Sequence, residues 1–128
     1  MYKKLVNRLK ELEIIYKGKV KLKNAGVSDF YIDVKKAYGY PDALNLISNY
    51  LYTYIDKRAT CVASAGYGGL TIASVISSKY GLNLTLIRDE PKKHGKISLI
   101  DGYIPNEKDK VAVIDDVFTT GESLRKII

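Results

Sequence analysis

Several residue types are scarce in this sequence of 128 residues, which has no tryptophan, one histidine and one cysteine, Cys61. A single cysteine excludes an internal disulfide, and this favours a reducing compartment such as the cytoplasm. No run of about 18 apolar residues occurs, and the first residues, MYKKLVNRLKELE, are charged throughout. The sequence therefore predicts neither a membrane-spanning helix nor a signal peptide. It also lacks a G-x-x-x-x-G-K-[ST] loop, which argues against a P-loop nucleoside triphosphatase.

The composition is that of one soluble globular domain, with 46% hydrophobic and 27% charged residues. The formal net charge of +7 fits a protein that binds either nucleic acid or small phosphorylated metabolites. Part of the excess comes from Lys17, Lys19, Lys21 and Lys23, which alternate with other residues and would share one face of a strand. For the first three of these lysines, a solvated outer face is the favoured explanation.

Helical and strand periodicities divide the chain into two parts. The first part predicts a helix over about Tyr2 to Ile14, a hairpin with strands near Lys19–Lys23 and Phe30–Val34, and a helix opened by Pro41. The second part alternates: a strand at Cys61–Ala63, a glycine loop at Tyr67–Gly69, a helix from Leu70 to Tyr80 stopped by Gly81, and strands at Leu84–Ile87 and Val111–Ile114. This alternation predicts an α/β fold, a parallel sheet flanked by helices, with ligands at the carboxyl ends of its strands.

The most informative segment is VAVIDDVFTTGESL, Val111 to Leu124. A buried strand runs into two acids, Asp115 and Asp116, and then into hydroxyl residues around Gly121, where a new helix is predicted to begin. Free backbone N–H groups at a helix start bind phosphate, whereas adjacent carboxylates would repel it and suit sugar hydroxyls instead. Together they describe a ribose 5-phosphate site. A metal-binding receiver domain and a capped helix without function are the alternatives, although a receiver would place the acids near its N-terminus.

Two other segments offer groups that bind anions. The segment RDEPKKHGK, Arg88 to Lys96, has five basic residues if His94 is counted, and no apolar residue to anchor it. It suits a mobile loop that closes over a polyanion, or simply a solvated surface loop. Glycines in Ser64–Gly69 also expose backbone amides ahead of a helix. A glycine-rich turn alone is weak evidence for an anion-binding site.

The segment VAVIDDVFTTGES resembles the phosphoribosyl pyrophosphate signature of the type I phosphoribosyltransferases. Within that family, the pattern of Arg88, Lys92, His94 and Gly95 resembles the catalytic loop of the orotate phosphoribosyltransferases, and Val20–Lys36 resembles their N-terminal substrate segment. The resemblance implies one domain over residues 1–128, with residues 1–36 as a hood segment and residues 59–128 as the phosphate-binding core. It implies transfer of a 5-phosphoribosyl group from phosphoribosyl pyrophosphate to orotate, with Mg²⁺ held mainly by substrate and water.

The resemblance also implies roles for individual residues. Asp115 and Asp116 would hold the ribose hydroxyls, while Tyr67, Arg88, Lys92 and His94 would contact pyrophosphate, the last three from a loop shared between the subunits of a homodimer. Catalysis would depend on Lys92, His94, Asp115 and Asp116, and orotate would contact Lys23, Tyr31 and Thr119. The remaining contacts to phosphoribosyl pyrophosphate would come from Val117, Phe118, Thr119, Thr120, Gly121, Glu122 and Ser123.

Some positions depart from the family pattern. Asp89 stands where a lysine is usual, Asn24 and Ala25 replace a Ser-Gly pair, and Gly68 is a lysine in some members. The family also has a further strand and an orotate-binding arginine that match nothing up to Ile128. Two other functions therefore remain open: a regulator of the same fold that binds phosphoribosyl pyrophosphate and nucleic acid, and a transferase for another base. The lysine and histidine of the loop favour the enzyme and make nucleic acid a less expected partner.

Overall fold

A computed structural model describes residues 2–22, 26–95 and 97–116 of the chain. The N-terminal part begins with helix α1 (Tyr2–Glu11) and continues with the antiparallel strands β1 (Ile15–Leu22) and β2 (Gly26–Ile32). The hairpin predicted from the sequence is confirmed, although β1 starts four residues earlier than predicted. Helix α1 is shorter than predicted because the backbone turns at Glu13, whose φ is +53°.

A short 3-10 helix (Val34–Gly39) leads from the hairpin to helix α2 (Pro41–Tyr52), which Pro41 opens as predicted. Arg8 of α1 donates to Asp42 of α2 over 2.7 Å and ties the two helices together. Buried side chains of both helices, including Leu5, Ala43 and Ile47, join the same hydrophobic core. The N-terminal part therefore packs on the rest of the chain through apolar contacts.

The second part forms a four-stranded sheet in the order β5-β4-β3-β6. Its strands are β3 (Cys61–Ala65), β4 (Asn83–Ile87), β5 (Ile100–Gly102) and β6 (Val111–Val113). Strand β3 lies in the centre, parallel to both β4 and β6, and all five of its residues are buried. The predicted α/β fold with a helix-flanked sheet is confirmed. Strand β5 runs antiparallel at the edge, because the chain returns from β4 without the crossover that a parallel strand requires.

Helix α3 (Gly66–Tyr80) connects β3 to β4 and packs on the sheet through Ile72, Ala73 and Ile76. The predicted stop at Gly81 is confirmed, since this glycine adopts a left-handed conformation, with φ of +71°. The predicted loop at Tyr67–Gly69 is wrong, because these residues form the first turn of α3. In the part of the chain that the structure describes, no helix is both long and apolar enough to span a membrane.

Candidate active site

The site lies at one edge of the sheet, where its three parallel strands end. Tyr67 follows β3 by two residues, Arg88 directly follows β4, and Asp115 and Asp116 come just after β6. Because β3, β4 and β6 are parallel neighbours, their carboxyl ends share an edge, as the sequence predicted.

The Asp116 carboxylate is enclosed between the first turn of α3 and the 3-10 helix. On one side, a Cβ atom added to Gly68 would lie 2.6 Å from Cγ and 2.8 Å from Oδ1 of Asp116. On the other side, the Lys35 ammonium lies 3.2 Å from Oδ2 of Asp116, whose side chain is only 13% exposed. The same ammonium lies 5.4 Å from the centre of the Tyr67 ring, within the range of a cation–π contact.

A second glycine brings α3 against the end of β6. A Cβ atom on Gly69 would lie 2.7 Å from the carbonyl oxygen of Ile114, too close for any side chain. The buried Ser64 hydroxyl donates to that same carbonyl over 2.6 Å. The close approach that Gly68 and Gly69 permit therefore holds the two acids against the start of the helix.

The two acids influence one another. The backbone N–H of Asp116 donates to Oδ1 of Asp115 over 2.9 Å. Burial raises the pKa of Asp115, and a side-chain hydrogen bond with Asp116 and the charge of Asp116 raise it further, while the backbone N–H of Asp116 and the charge of Lys35 oppose the rise. Burial, with the charges of Asp116 and Asp115, also raises the pKa of Tyr38, which stays neutral as a result. The surroundings of Asp115 therefore favour its protonated form more than water does.

The cationic segment after β4 is folded back onto β5. Backbone N–H groups of Arg88 and Lys92 donate to Leu99 and Ser98, over 2.8 and 3.3 Å. Their side chains share one carboxylate: Nη1 of Arg88 lies 2.8 Å from Oδ2 of Asp101, and Nζ of Lys92 lies 3.0 Å from Oδ1. Hydrogen bonds from these two cations lower the pKa of Asp101, and the effect of Arg88 is the larger one. A single carboxylate therefore holds both cations in this conformation, and the three groups together keep one net positive charge.

This segment also surrounds a cavity of about 380 Å³. Its lining has three cationic residues and one acidic residue, and consists of Arg88, Glu90, Pro91, Lys92, Lys93 and His94. Asp89, which departs from the family pattern, is exposed beside it. The cavity is suited to a small polyanion.

The structure groups the predicted site residues as follows. It brings Asp115, Asp116 and Tyr67 together at the end of β6, and it places Arg88, Lys92 and His94 around the cavity at the end of β4. Tyr31 lies in β2, opposite Tyr16. The predicted residues Lys23 and Val117 to Ser123, and the helix predicted after them, lie outside the described residues.

Sequence reasoning missed Lys35, Tyr38 and Asp101. Lys35 reads as one of several surface lysines, and Asp101 as a charge in a short strand. Only the tertiary contacts give them partners: Asp116 for Lys35, and Arg88 with Lys92 for Asp101.

Charge divides this edge of the sheet into two halves. The end of β6 presents two carboxylates, which can accept hydrogen bonds from hydroxyl groups and stabilise positive charge. The segment after β4 presents cations, which can stabilise a departing anion.

The chain as a whole is similar to proteins of known function. No protein-family model matches the chain. Over 125 residues it is 35% identical to the orotate phosphoribosyltransferase of Methanocaldococcus jannaschii, covering 98% of this chain and 70% of that protein. The crystal structure of orotate phosphoribosyltransferase from Aeropyrum pernix superposes with a TM-score of 0.76 at 25% identity, over 95% of this chain and 69% of that one. The UMP synthase of Leishmania donovani gives a TM-score of 0.78 at 27% identity, over 97% of this chain and 27% of that one.

Proposed function

This chain belongs to the orotate phosphoribosyltransferase family, and from that premise we propose that it transfers the 5-phosphoribosyl group of phosphoribosyl pyrophosphate to orotate. The products are orotidine 5-phosphate and pyrophosphate, and the step serves pyrimidine biosynthesis. The observation that carries this proposal is the enclosed Asp116 carboxylate beside Asp115, at the edge of the sheet where the cationic segment also begins.

The acidic half of the site would act on the sugar. As the bond between the anomeric carbon and pyrophosphate lengthens, positive charge develops on the ribose ring. Asp115 and Asp116 would accept hydrogen bonds from the ribose hydroxyls and favour that charge. The orotate nitrogen then forms the new bond to the anomeric carbon, so no side chain has to act as nucleophile.

The cationic half would act on the leaving group. Arg88, Lys92 and His94 would bind pyrophosphate, with Tyr67 against it. Arg88 and Lys92 must first exchange the Asp101 carboxylate for phosphate oxygens. Their side chains are 39% and 42% exposed, so the pairs they leave are surface pairs worth about 0.2–1 kcal/mol each. A doubly ionised phosphate group can displace a carboxylate held this weakly.

Apart from Tyr31 in β2, the remaining substrate contacts would come from residues outside the described part of the chain. We propose Val117 to Ser123 for phosphoribosyl pyrophosphate, with the 5-phosphate on Thr119 to Ser123, and Lys23, Tyr31 and Thr119 for orotate. Support comes from the sequence pattern of these residues and from the family to which the chain belongs.

We propose Mg²⁺ as the cofactor. The neighbouring carboxylates of Asp115 and Asp116 offer oxygen atoms that can accept hydrogen bonds from water molecules around the ion. Such a setting fits an ion that retains several waters and binds mainly through substrate phosphates. When bound, Mg²⁺ would reduce the negative charge on the departing pyrophosphate.

Orotate absorbance tests the proposed activity directly. With phosphoribosyl pyrophosphate and Mg²⁺ present, the 128-residue chain should consume orotate and release pyrophosphate. Asp116→Asn should lower the rate by about 10²-fold with the fold intact. Glu107→Gln, which removes an exposed charge ahead of β6, at the opposite end of that strand from the two acids, is the matched control and should leave the rate unchanged. If phosphoribosyl pyrophosphate raises the melting temperature but orotate is not consumed, the chain binds without turnover and the regulatory alternative is favoured.

We further propose a cytoplasmic homodimer in which the Arg88–Lys96 loop of one subunit serves the site of the other. Mixing Lys92→Ala with Asp116→Asn protein tests this arrangement. A shared site predicts that exchange of subunits restores about a quarter of the wild-type rate, because half of the dimers then contain one site free of both substitutions. A mixture no more active than its components argues against a shared site.

A further inference from the structure

Lys35 links three segments that are far apart in the sequence. It belongs to the 3-10 helix that follows the N-terminal hairpin. Its ammonium lies 3.2 Å from Oδ2 of Asp116, just after β6. It also lies 5.4 Å from the centre of the Tyr67 ring, in the first turn of α3. The ammonium therefore connects the N-terminal part of the chain to Asp116, which follows β6, and to Tyr67, which follows β3.

The ion pair is asymmetric in exposure. The Asp116 side chain is 13% exposed and that of Lys35 is 40% exposed. Gly68 closes the opposite side of the carboxylate, so Lys35 and α3 together determine which way its oxygens point. An enclosed carboxylate gains more from an adjacent cation than an exposed one, because solvent screens it less.

We propose that Lys35 is a positioning residue for phosphoribosyl transfer, which orients the Asp116 carboxylate and keeps the Asp115–Asp116 pair negatively charged toward the sugar. This inference rests on the proposed function and adds a residue to it. Lys35 acts through Asp116 and needs no contact with substrate.

The charges around the pair agree with this role. From the 3-10 helix, Lys35 and Tyr38 face the acids, and from α3 the ring of Tyr67 lies over the ammonium. Tyr38 stays neutral because its pKa is raised, so it adds no charge when the acids ionise. The Lys35 charge opposes the rise in the pKa of Asp115 that burial and Asp116 cause.

Two more charged groups, Asp56 and Lys110, line a cavity of about 340 Å³ together with Asp115. Asp56 forms ion pairs with both Arg58 and Lys110, so these three charges interact mainly with one another. Among the described residues, the cation that lowers the pKa of Asp115 is Lys35.

The test compares Lys35→Met, Lys35→Arg and the control Lys36→Met, which removes the same charge one residue along the same 3-10 helix. Lys35→Met should lower kcat at least about tenfold and move the acid limb of the kcat/KM profile upward by about 1 pH unit. Lys35→Arg should restore most of the rate and the profile, and Lys36→Met should resemble the wild type. Circular dichroism melts establish that each variant is folded.

Carboxyl ¹³C resonances separate this inference from the proposed function. The carboxyl resonance of Asp115 is assigned as the one that disappears in Asp115→Asn protein. In Lys35→Met its titration midpoint should lie at higher pH than in the wild type, even if the wild-type chain consumes no orotate. An unchanged Asp115 midpoint overturns the inference. The inference is also overturned if Lys35→Met lowers the rate equally at every pH and Lys35→Arg does not restore it, since that pattern indicates a direct substrate contact.

Discussion

Alanine at Gly68 is a direct test of how the site is built, because its new methyl group would enter the space of the Asp116 carboxylate. The added Cβ would lie 2.6 Å from Cγ of Asp116, whereas ordinary contact begins at 3.4 Å. The carboxylate must therefore retreat by about 0.8 Å, and its 3.2 Å contact with Lys35 must change with it.

The expected effect on activity is larger than that on stability. A displacement of about 1 Å in a catalytic group can cost about 10²-fold in rate, so kcat/KM should fall by roughly 10- to 100-fold. Overpacking costs about 1–3 kcal/mol, but alanine in place of glycine in a helix recovers up to about 1 kcal/mol. The free energy of unfolding should therefore fall by only about 0–2 kcal/mol.

Two other glycines provide controls for this substitution. Gly39 has no heavy atom within 4 Å of its added Cβ, so Gly39→Ala should leave both rate and melting temperature nearly unchanged. Gly69→Ala would meet the Ile114 carbonyl at 2.7 Å, and because this is backbone that cannot swing aside, the melting temperature should drop more than in Gly68→Ala. Orotate kinetics and thermal melts measure both effects. Full activity in Gly68→Ala would refute the reasoning, since it would mean that the carboxylate rotates away without consequence.

Three other substitutions give distinct outcomes. Lys92→Ala should reduce kcat much more than affinity for phosphoribosyl pyrophosphate, in steady-state kinetics, if the ammonium acts on the leaving group. Asp101→Asn should tighten pyrophosphate binding about two- to fivefold by calorimetry, because Arg88 and Lys92 lose their internal partner. Asp115→Asn should abolish most turnover yet raise the melting temperature at pH 8. The wild-type pKa is raised on folding, so ionised Asp115 destabilises the fold, and the difference should close as pH falls through that pKa.

The sequence predicted the elements whose signal is local. Apolar runs marked β3, β4 and β6, and Pro41 marked the start of α2. Two adjacent acids after the apolar strand β6 marked the edge where the site lies, although β6 itself is only partly buried. These features depend on periodicity and on residue types with strong backbone preferences.

The start of α3 was missed because glycine has two uses that the sequence does not distinguish. Gly68 and Gly69 suggested a loop, since glycine usually weakens a helix. In the structure they are glycines because α3 begins so close to β6 that a side chain would strike Asp116 or the Ile114 carbonyl. The reason for each glycine is a contact with a residue more than forty positions away.

The two halves of the site have internal partners of different strength, and this difference suits the reaction. On the cationic side, Arg88 and Lys92 hold Asp101 at the surface, where solvent weakens the pairs and phosphate can replace the carboxylate. On the acidic side, Lys35 holds Asp116 where little solvent reaches, so the carboxylate keeps its place while the ribose binds. A leaving group requires cations that can change partners, whereas a developing positive charge on the sugar requires carboxylates that are already fixed. The sequence contains the charges for both tasks, but only their tertiary partners determine which ones can exchange.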